Sequence, residues 1–398
     1  MRHFVCAISL ERLRTPRLCH RIALPMLSQR TGVCAAVLIF LIFACHGLAS
    51  AQPPASAEAS ASAEASTDMP ADESVGLPAE ALAKDGESAK WSVEGRGILF
   101  WTDDVGVFSA TRRLSRNDDP TQPALDTELT GQGSDMVFEP DLKVTRRLSS
   151  RFGLTTLSVR GQGFIYAVNP EFDHGTLRLD AVQAFNRETR FLVRYYYAPN
   201  LLLGENVDRH VTPPTPADEI VTSHIWSFRL ERDVTPNLEI KLLGRYGIRT
   251  YNQAFEQRNT TLWTFGPHLE WRLVPRVKLG LGFHYERGFA DGSDQPQLQD
   301  DTSYINYYGT GDLEIELTER MSMSLAFHYE RNDWTSTLVG DPRNGAYETI
   351  VQGELVLFYR LTKALTVFTG FQRSQRKESF EHEAVENTNV AVGLNAVF

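Results

Sequence analysis

Cysteine is scarce in this 398-residue sequence and is confined to its first part. The four cysteines are Cys6, Cys19, Cys34 and Cys45. If residues 1–51 are removed as a targeting segment, the mature chain has no cysteine, which excludes disulfide bonds and cysteine-ligated metal sites. A Gly-x-Ser-x-Gly nucleophile motif and a His/Cys zinc spacing are also missing, so catalysis has little support. We therefore expect no enzyme activity, no cofactor and no bound metal.

The sequence also has no excess of positive charge. The formal net charge is −10, and removal of residues 1–51, with six Arg and one Glu, would leave −15. A chain without a basic patch is not expected to bind nucleic acid. After residue 51 there is no apolar run of about 20 residues, the length that a membrane-spanning helix requires.

The first 51 residues have the pattern of a secretory signal peptide. The apolar run from Gly32 to Cys45 is followed by Ala49-Ser50-Ala51, which provides small residues for cleavage before Gln52. Arginines precede the run, at Arg12, Arg14, Arg17, Arg21 and Arg30. Because this positive flank is unusually long, we expect translation to start at Met26. An alternative makes Cys45 the acceptor of a lipoprotein.

Residues 52–90 are of low complexity and rich in Ala, Ser and Glu. They have almost no aromatic or β-branched residues, so they cannot bury enough apolar surface to offset the entropy of ordering. We expect a disordered periplasmic leader.

From Trp91 to the end, apolar and polar residues alternate with a period of two, which is typical of β-strands. In one segment Ile240 and Leu242 alternate with Glu239 and Lys241. We predict fourteen strands, with twelve or sixteen as alternatives, at 91–101, 134–146, 152–166, 175–187, 190–198, 221–233, 237–250, 259–272, 276–288, 303–317, 320–332, 346–360, 363–375 and 387–398. Pro140 is a weak point, because proline removes a hydrogen-bond donor from the sheet.

These strands are longer than those of soluble sheets. They are long enough to cross a bilayer, which a tilted strand does in about 9–11 residues. Short turns alternate with long connections, as in transmembrane barrels. Aromatic residues gather near the strand ends, as interfacial girdles require: Trp101, Tyr195, Tyr197, Trp263, Trp271, Tyr285, Tyr329, Trp334, Tyr347 and Tyr359. An all-β fold, a transmembrane antiparallel up-and-down barrel over residues 91–398, is the prediction. A secreted sandwich is the alternative.

The last twelve residues, NTNVAVGLNAVF, alternate in the same way and end on an aromatic ring, Phe398. Here the sequence resembles the bacterial outer-membrane β-barrel proteins. The resemblance implies that Phe398 is an assembly signal, that the outer-membrane barrel assembly machinery inserts the chain, and that outer-membrane lipids surround it. With an even number of strands, both termini would be periplasmic.

If the apolar face contacts lipid, the opposite face lines a lumen. Its predicted lining charges are Arg160, Arg178, Asp180, Arg194, Arg229, Glu239, Lys241, Arg245, Glu270, Arg272, Lys278, Glu286, Asp312, Glu314, Glu330 and Glu354. In one interpretation these charges pair across strands and stiffen the barrel. In the other, segregated arcs of charge set a transverse field that orients small polar solutes.

The long connections suggest further sites. Segments 102–133 and 199–220, the latter with Pro213, Pro214 and Pro216, are candidates to fold inward as a constriction. An acidic connection with Asp291, Asp294, Asp300 and Asp301 is expected to be solvated, and a divalent-cation site is the alternative. His284-Tyr-Glu286-Arg and His328-Tyr-Glu330-Arg repeat one strand pattern, with His and Glu facing inward.

The expected function is a porin-like passive channel for small hydrophilic solutes in the bacterial outer membrane. Three alternatives remain: a non-conducting surface scaffold or adhesin, an export barrel for lipoprotein or polysaccharide, and a barrel enzyme, which would need hydrolytic activity from pure protein. The Tyr-Glu-Arg segments 285–287 and 329–331 resemble barrels of surface-lipoprotein assembly factors, although residues 52–90 are too short for the helical-repeat domain of those proteins.

Overall fold

The computed structural model describes residues 91–105, 133–379 and 384–398. The predicted signal peptide 1–51, the start at Met26, the leader 52–90 and most of the 102–133 connection lie outside these residues. The described residues form fourteen antiparallel strands in one closed barrel. The strands are β1 Trp91–Thr102, β2 Asp135–Ser150, β3 Gly153–Tyr166, β4 His174–Ala184, β5 Thr189–Asp208, β6 Thr215–Thr235, β7 Leu238–Tyr251, β8 Thr260–Val274, β9 Val277–Ala290, β10 Tyr304–Thr318, β11 Met321–Trp334, β12 Tyr347–Arg360, β13 Leu365–Glu378 and β14 Val385–Val397.

The two ends of the described chain close the barrel. β1 pairs with β14 from Glu94 opposite Val397 to Thr102 opposite Asn389. At the end of the seam the Phe398 N–H donates to the Val93 carbonyl at 2.8 Å. Closure satisfies the backbone groups of both edge strands, as a sheet in a bilayer requires. The predicted strand number and antiparallel order are confirmed.

The barrel has two unlike rims. At the short-turn rim, connections of two to four residues join β2 to β3, β4 to β5, β6 to β7, β8 to β9, β10 to β11 and β12 to β13. At the long-loop rim, the connections include four short 3₁₀ helices, at Pro170–Phe172, Gln253–Arg258, Asp291–Asp294 and Pro296–Leu298. Among the described residues, no helix has the length and apolarity needed to cross a bilayer.

The two faces of the strands differ in polarity. Outward-facing Leu281, Phe327 and Leu325 are 47%, 53% and 39% exposed. Inward-facing Glu330 and Gln352, on β11 and β12, are buried. A continuous apolar exterior around a polar interior is the arrangement of a transmembrane barrel, whose outer surface contacts acyl chains.

The β5–β6 hairpin extends beyond its predicted length. Segment 199–220, predicted as a loop, is mostly strand, because β5 continues to Asp208 and β6 begins at Thr215. A bulge between Ala198 and Leu201, with Asn200 at φ 47°, shifts the register. The bulge moves the buried positions from even to odd numbers, at Leu201 and Leu203, so a strict period of two does not detect the extension.

Pro140 interrupts the ladder where the sequence predicts a weak point. Phe138 pairs with Ile165 and Asp141 with Gln162, and no β3 partner lies opposite residues 139 and 140. On its other side Pro140 still pairs with Gly97 of β1. The strand therefore tolerates the missing N–H by a local irregularity on one side.

An aromatic girdle surrounds part of the exterior near the long-loop rim. Tyr195, Trp226 and Tyr246 on β5 to β7 contact one another with tilted rings, whose centroids are 5.4 and 6.1 Å apart. The prediction that Trp334 belongs to the girdle is wrong, because Trp334 faces inward and is buried. Its even number places it on the same face as Glu330 and Asn332. Arg373 lies exposed on the outward face of β13, paired with Glu386.

Candidate functional site

The inner wall of the barrel carries a basic arc on five consecutive strands, β3 to β7. Its cations are all buried. They are Arg160 on β3, Arg178 on β4, Arg190 and Arg194 on β5, Arg229 on β6, and Lys241, Arg245 and Arg249 on β7. Sequence analysis missed Arg190, although it shares the even-numbered face of Arg194.

Fewer acidic residues interleave with the basic arc, and each has a cationic partner. Asp180 accepts from Arg178 at 3.1 Å and from Arg194 at 2.7 Å. Arg229 donates to Glu231 at 2.7 Å, and Arg190 bridges Glu231 and Glu239. The paired acids hold the guanidinium groups in fixed positions along the wall and leave the arc with an excess of positive charge.

An acidic arc lies on β9 to β12. Its carboxylates are Glu286 on β9, Asp312 and Glu314 on β10, Glu330 on β11, and Glu348 and Glu354 on β12. Glu348 was missed by sequence analysis, although it shares the face of Glu354. Gly280 makes room for this arc, since a Cβ there would lie 2.2 Å from Asp312 Oδ1. The predicted lining charges thus fall into two groups by strand.

The two arcs are at similar heights and on different sides of the lumen. Arg229, Asp312 and Glu354 each lie six residues from the short-turn end of their strand, which is about 20 Å along the strand. Strand β5, at the centre of the basic arc, is five positions from β10 in a ring of fourteen strands. The positive and negative arcs thus lie on separate groups of strands at similar distances from the short-turn rim.

A row of aromatic and imidazole rings crosses the wall within and beside the acidic arc. His268 and His284 have ring centroids 5.2 Å apart, and Tyr308 follows at 5.4 Å. The Tyr308 hydroxyl lies 2.7 Å from Nδ1 of His328. His284 and His328 of the repeated sequence pattern therefore both face inward, joined through a tyrosine that sequence analysis did not single out.

Some predicted lining charges lie near the short-turn rim and reach solvent. Lys278 contacts Glu270 at 2.6 Å and Glu314 at 3.8 Å, with 28% and 26% of the Lys278 and Glu314 side chains exposed. Lys241 also donates to Glu270. Arg272 lies exposed near the end of β8. Lys278 and Glu314 are thus partly exposed to solvent, whereas Lys241 is buried.

Near the long-loop rim, the inner wall of the same strands is covered. Asn306 and Glu330 are 0% and 1% exposed, and Asn332 and Glu348 are similarly buried. Tyr304 donates to Glu286 at 2.7 Å and accepts from Arg249, three strands away, at 3.1 Å. Side chains therefore meet across the upper lumen on this side.

A buried charge cluster, which we call the cap cluster, lies above this covered wall. It consists of Glu219, Gln257, Arg258, Asp300 and Arg343. Arg258 donates to Glu219 at 2.7 Å and to both oxygens of Asp300 at 2.7 and 2.9 Å. Arg343 and Gln257 donate to Asp300 at 2.8 and 2.6 Å. The cluster ties three connections to the extended β6 strand.

The electrostatics of Asp300 depend on its two arginines. Burial alone would raise the pKa of Asp300, but the charges of Arg258 and Arg343 outweigh it and hold the pKa well below the ordinary value. Burial would lower the pKa of Arg258, and Glu219 and Asp300 reverse that effect and raise it. Asp300 and Arg258 are therefore both ionised at neutral pH.

The environment of Asp300 corrects the expectation of a solvated acidic connection. Asp300 is fully buried and binds arginine, while Asp291 and Asp294 of the same connection are exposed. In the described parts of the chain, no group of three or more His, Cys, Asp or Glu side chains is arranged to hold a metal ion.

An apolar sector of the inner wall was also missed by sequence analysis. Ile98, Phe100, Val137 and Phe164 pack together with residues of the other seam strands. Phe358 and Phe368, on β12 and β13, are 5.6 Å apart in the same cluster. These residues share the inward parity of the charges, so a pattern of polar-inward residues does not reveal them. The apolar sector thus centres on the seam strands and shares β3 and β12 with the ends of the charged arcs.

No family model matches this chain, and no curated protein matches its sequence. Among solved structures it is similar to a bacterial polysaccharide outer membrane secretin, with 7% identity and a TM-score of 0.43 over 76% of this chain and 98% of that one. It is similar to the outer membrane channel DcaP of Acinetobacter baumannii, with 8% identity and a TM-score of 0.43 over 79% and 99% of the chains. An anion-selective porin from Comamonas acidovorans has 9% identity and a TM-score of 0.39 over 78% and 99%. At these values the similarity concerns the barrel architecture alone.

Proposed function

We propose that this protein is a passive channel for small hydrophilic solutes, which cross the barrel between the basic and acidic arcs. The observation that carries the proposal is the separation of these arcs at one height of the inner wall. A dipolar solute would align its negative end with β3–β7 and its positive end with β9–β12. The channel requires no energy source, cofactor or metal.

The proposal predicts opposite selectivity changes when one charge is removed from each arc. Arg229→Gln weakens the basic arc, so the ratio of K⁺ to Cl⁻ permeability should rise about two- to threefold. Asp312→Asn weakens the acidic arc, so the ratio should fall by a similar factor. The measurement is the reversal potential in a planar bilayer under a KCl gradient, on the purified full chain.

Arg232→Gln is the matched control for Arg229→Gln. Arg232 lies on the same strand but on the exposed outer face, three residues from the short-turn end of β6. Its removal should leave the reversal potential unchanged. Changes of the same sign in Arg229→Gln and Asp312→Asn, or a bilayer that stays silent with every variant, would contradict the channel.

A second candidate function is a non-conducting surface scaffold whose connections present one rigid surface. The observation that favours it is the cap cluster, which joins three connections and β6 through buried ion pairs. Silence of the wild type and of a variant without the cap contacts would support this candidate.

The proposed location is the bacterial outer membrane, with the long-loop rim outside and both termini in the periplasm. The unlike rims and the apolar exterior support it. We also propose that Phe398 is the assembly signal recognised by the barrel assembly machinery. An epitope tag in the 209–214 turn should be accessible on intact cells, and a tag after Phe398 should not be; exposure of the C-terminal tag would reverse the orientation.

A further inference from the structure

The cap cluster connects parts of the chain that are distant in sequence. Glu219 lies on β6, Gln257 and Arg258 lie in the β7–β8 connection, Asp300 lies in the β9–β10 connection, and Arg343 lies in the β11–β12 connection. All five side chains are buried. Asp300 is the centre, because three of the other four residues donate to its carboxylate.

Backbone contacts bring the same connections together. The Thr335 N–H donates to the Ser303 carbonyl at 2.8 Å. The Asp301 N–H donates to Asp341 Oδ2 at 2.9 Å, and Ser336 donates to the same oxygen at 2.6 Å. The β9–β10 and β11–β12 connections are therefore held as one unit at the long-loop rim.

The hairpin tip between β5 and β6 lies against this unit. Arg209 donates to the carbonyls of Leu298 and Gln299 at 3.2 and 2.7 Å. Nε2 of His210 lies 2.9 Å from Oε1 of Gln257. These contacts add the hairpin tip to the unit centred on Asp300.

The cap cluster also contacts the inner wall below it. The Arg343 guanidinium lies 5.6 Å from the ring centroid of Trp334, which packs edge-on against Tyr304 at 6.3 Å. Tyr304 in turn contacts Arg249 and Glu286 of the wall. An unbroken series of contacts thus runs from Asp300 to the charges of the upper lumen.

We infer that the cap cluster is a latch: Asp300, held by Arg258 and Arg343, keeps the connections closed over the β7–β12 side of the lumen. When Asp300 is released, water and solutes reach Asn306, Glu330 and Glu348. Only the conductance measurement of this inference rests on the proposed channel function. The closure of the connections over the inner wall can be tested without it.

The test is the reactivity of a thiol below the cap. Asn306→Cys is introduced into the full chain after Cys6, Cys19, Cys34 and Cys45 have been changed to serine. A membrane-impermeant thiol reagent is added from the long-loop side of proteoliposomes. The labelling rate should be low, and Asp300→Asn in the same chain should raise it at least about tenfold, because a buried ion pair has lost its anion.

Asp294→Asn is the matched control, since it is the same substitution in the same connection at an exposed position. It should leave the labelling of Asn306→Cys unchanged. Glu314→Cys, near the open short-turn rim, should react from that side at the same rate with or without Asp300→Asn. Heat-modifiable migration in detergent gels checks that each variant is a folded barrel.

The conductance of Asp300→Asn completes the test. More frequent or larger openings than in the wild type, together with faster labelling at residue 306, support the latch. Faster labelling without conductance also supports the latch and contradicts the channel. Equal labelling at residue 306 in the wild type and in Asp300→Asn overturns the latch, whatever the conductance.

Discussion

The inner wall of β7–β12 near the short-turn rim and the cap cluster above its long-loop end both contain ion pairs, but in different surroundings. Near the short-turn rim, Lys278 and Glu314 form a solvated pair with about a quarter of each side chain exposed. Near the long-loop rim, Arg258 and Asp300 form a pair with 3% and 0% exposure. An ion pair in water contributes little to stability, whereas breaking a buried pair leaves an uncompensated charge.

This difference separates two roles for charge in one barrel. In the proposed channel, the partly exposed charges of Lys278 and Glu314 are available to passing ions. The buried charges of the cap cluster are committed to each other and hold the connections together. The two pairs therefore differ in how much they are expected to contribute to the stability of the chain.

Of the substitutions that test this difference, Arg258→Gln is expected to have the largest effect on local stability. Arg258→Gln removes the cation shared by Glu219 and Asp300 and leaves both carboxylates buried, which should cost about 3–5 kcal/mol of local stability. Amide hydrogen exchange in residues 252–259 and 291–303 should therefore accelerate about a hundredfold or more.

Arg209→Gln serves as the comparison variant, because among the described residues Arg209 donates to the backbone carbonyls of Leu298 and Gln299 and not to a carboxylate. Its loss should cost about 2 kcal/mol or less. If exchange in the two connections responds equally to both variants, buried charge is not what holds the cap.

Acid should weaken the cap only when the pH falls below the ordinary pKa of aspartate, about 3.8. The pKa of Asp300 is lowered in the folded state, so its ionisation contributes stability that is present above the unfolded pKa, about 3.8. That stability is lost as the pH falls through the lowered folded pKa, by at most about 1.4 kcal/mol per pH unit for one group.

The measurement is digestion of the long-loop connections by pepsin between pH 4.5 and 2. Cleavage, corrected for the activity of the protease on an unfolded substrate, should stay flat above pH 4 and rise below it. In Asp300→Asn the cleavage should be fast throughout and independent of pH. Cleavage that is already rising at the upper end of this pH range would assign the latch to another group.

The smallest effect is expected at Lys278. Lys278→Gln removes the solvated partner of Glu314, and Glu270 keeps its contact with Lys241. The free energy of unfolding should change by less than about 1 kcal/mol, measured from the midpoint of chemical unfolding in detergent. A loss of stability as large as that of Arg258→Gln would contradict the difference between the solvated pair and the buried pair.

The barrel was predictable from the sequence because its periodicity is local. In β9, for example, Leu279, Leu281 and Phe283 alternate with lumen-facing residues, and the predicted strand 276–288 differs from Val277–Ala290 by one or two residues. The extension of β5 was not predictable in this way, because the bulge near Asn200 reverses the parity of Leu201 and Leu203.

The arcs were only partly predictable, and the cap cluster was not. Parity identifies Arg229 or Asp312 as inward-facing, but grouping the charges by sign requires the strand order. The residues of the cap cluster are 39 to 43 positions apart from their partners in the chain and lie mainly in irregular connections. Nothing in the local sequence of Asp300 distinguishes it from the exposed Asp294.

The most direct test of the account is the environment of three spin labels on β10 and β11, at Leu325, Glu314 and Asn306, in single-cysteine variants reconstituted in bilayers. Dissolved oxygen should reach the label at Leu325, and a water-soluble paramagnetic reagent should reach the label at Glu314. The label at Asn306 should be accessible to neither until Asp300→Asn is added. Collision of the aqueous reagent with the label at Leu325 would contradict a lipid-facing exterior, and its collision with the label at Asn306 in the otherwise unchanged chain would contradict the closed upper lumen.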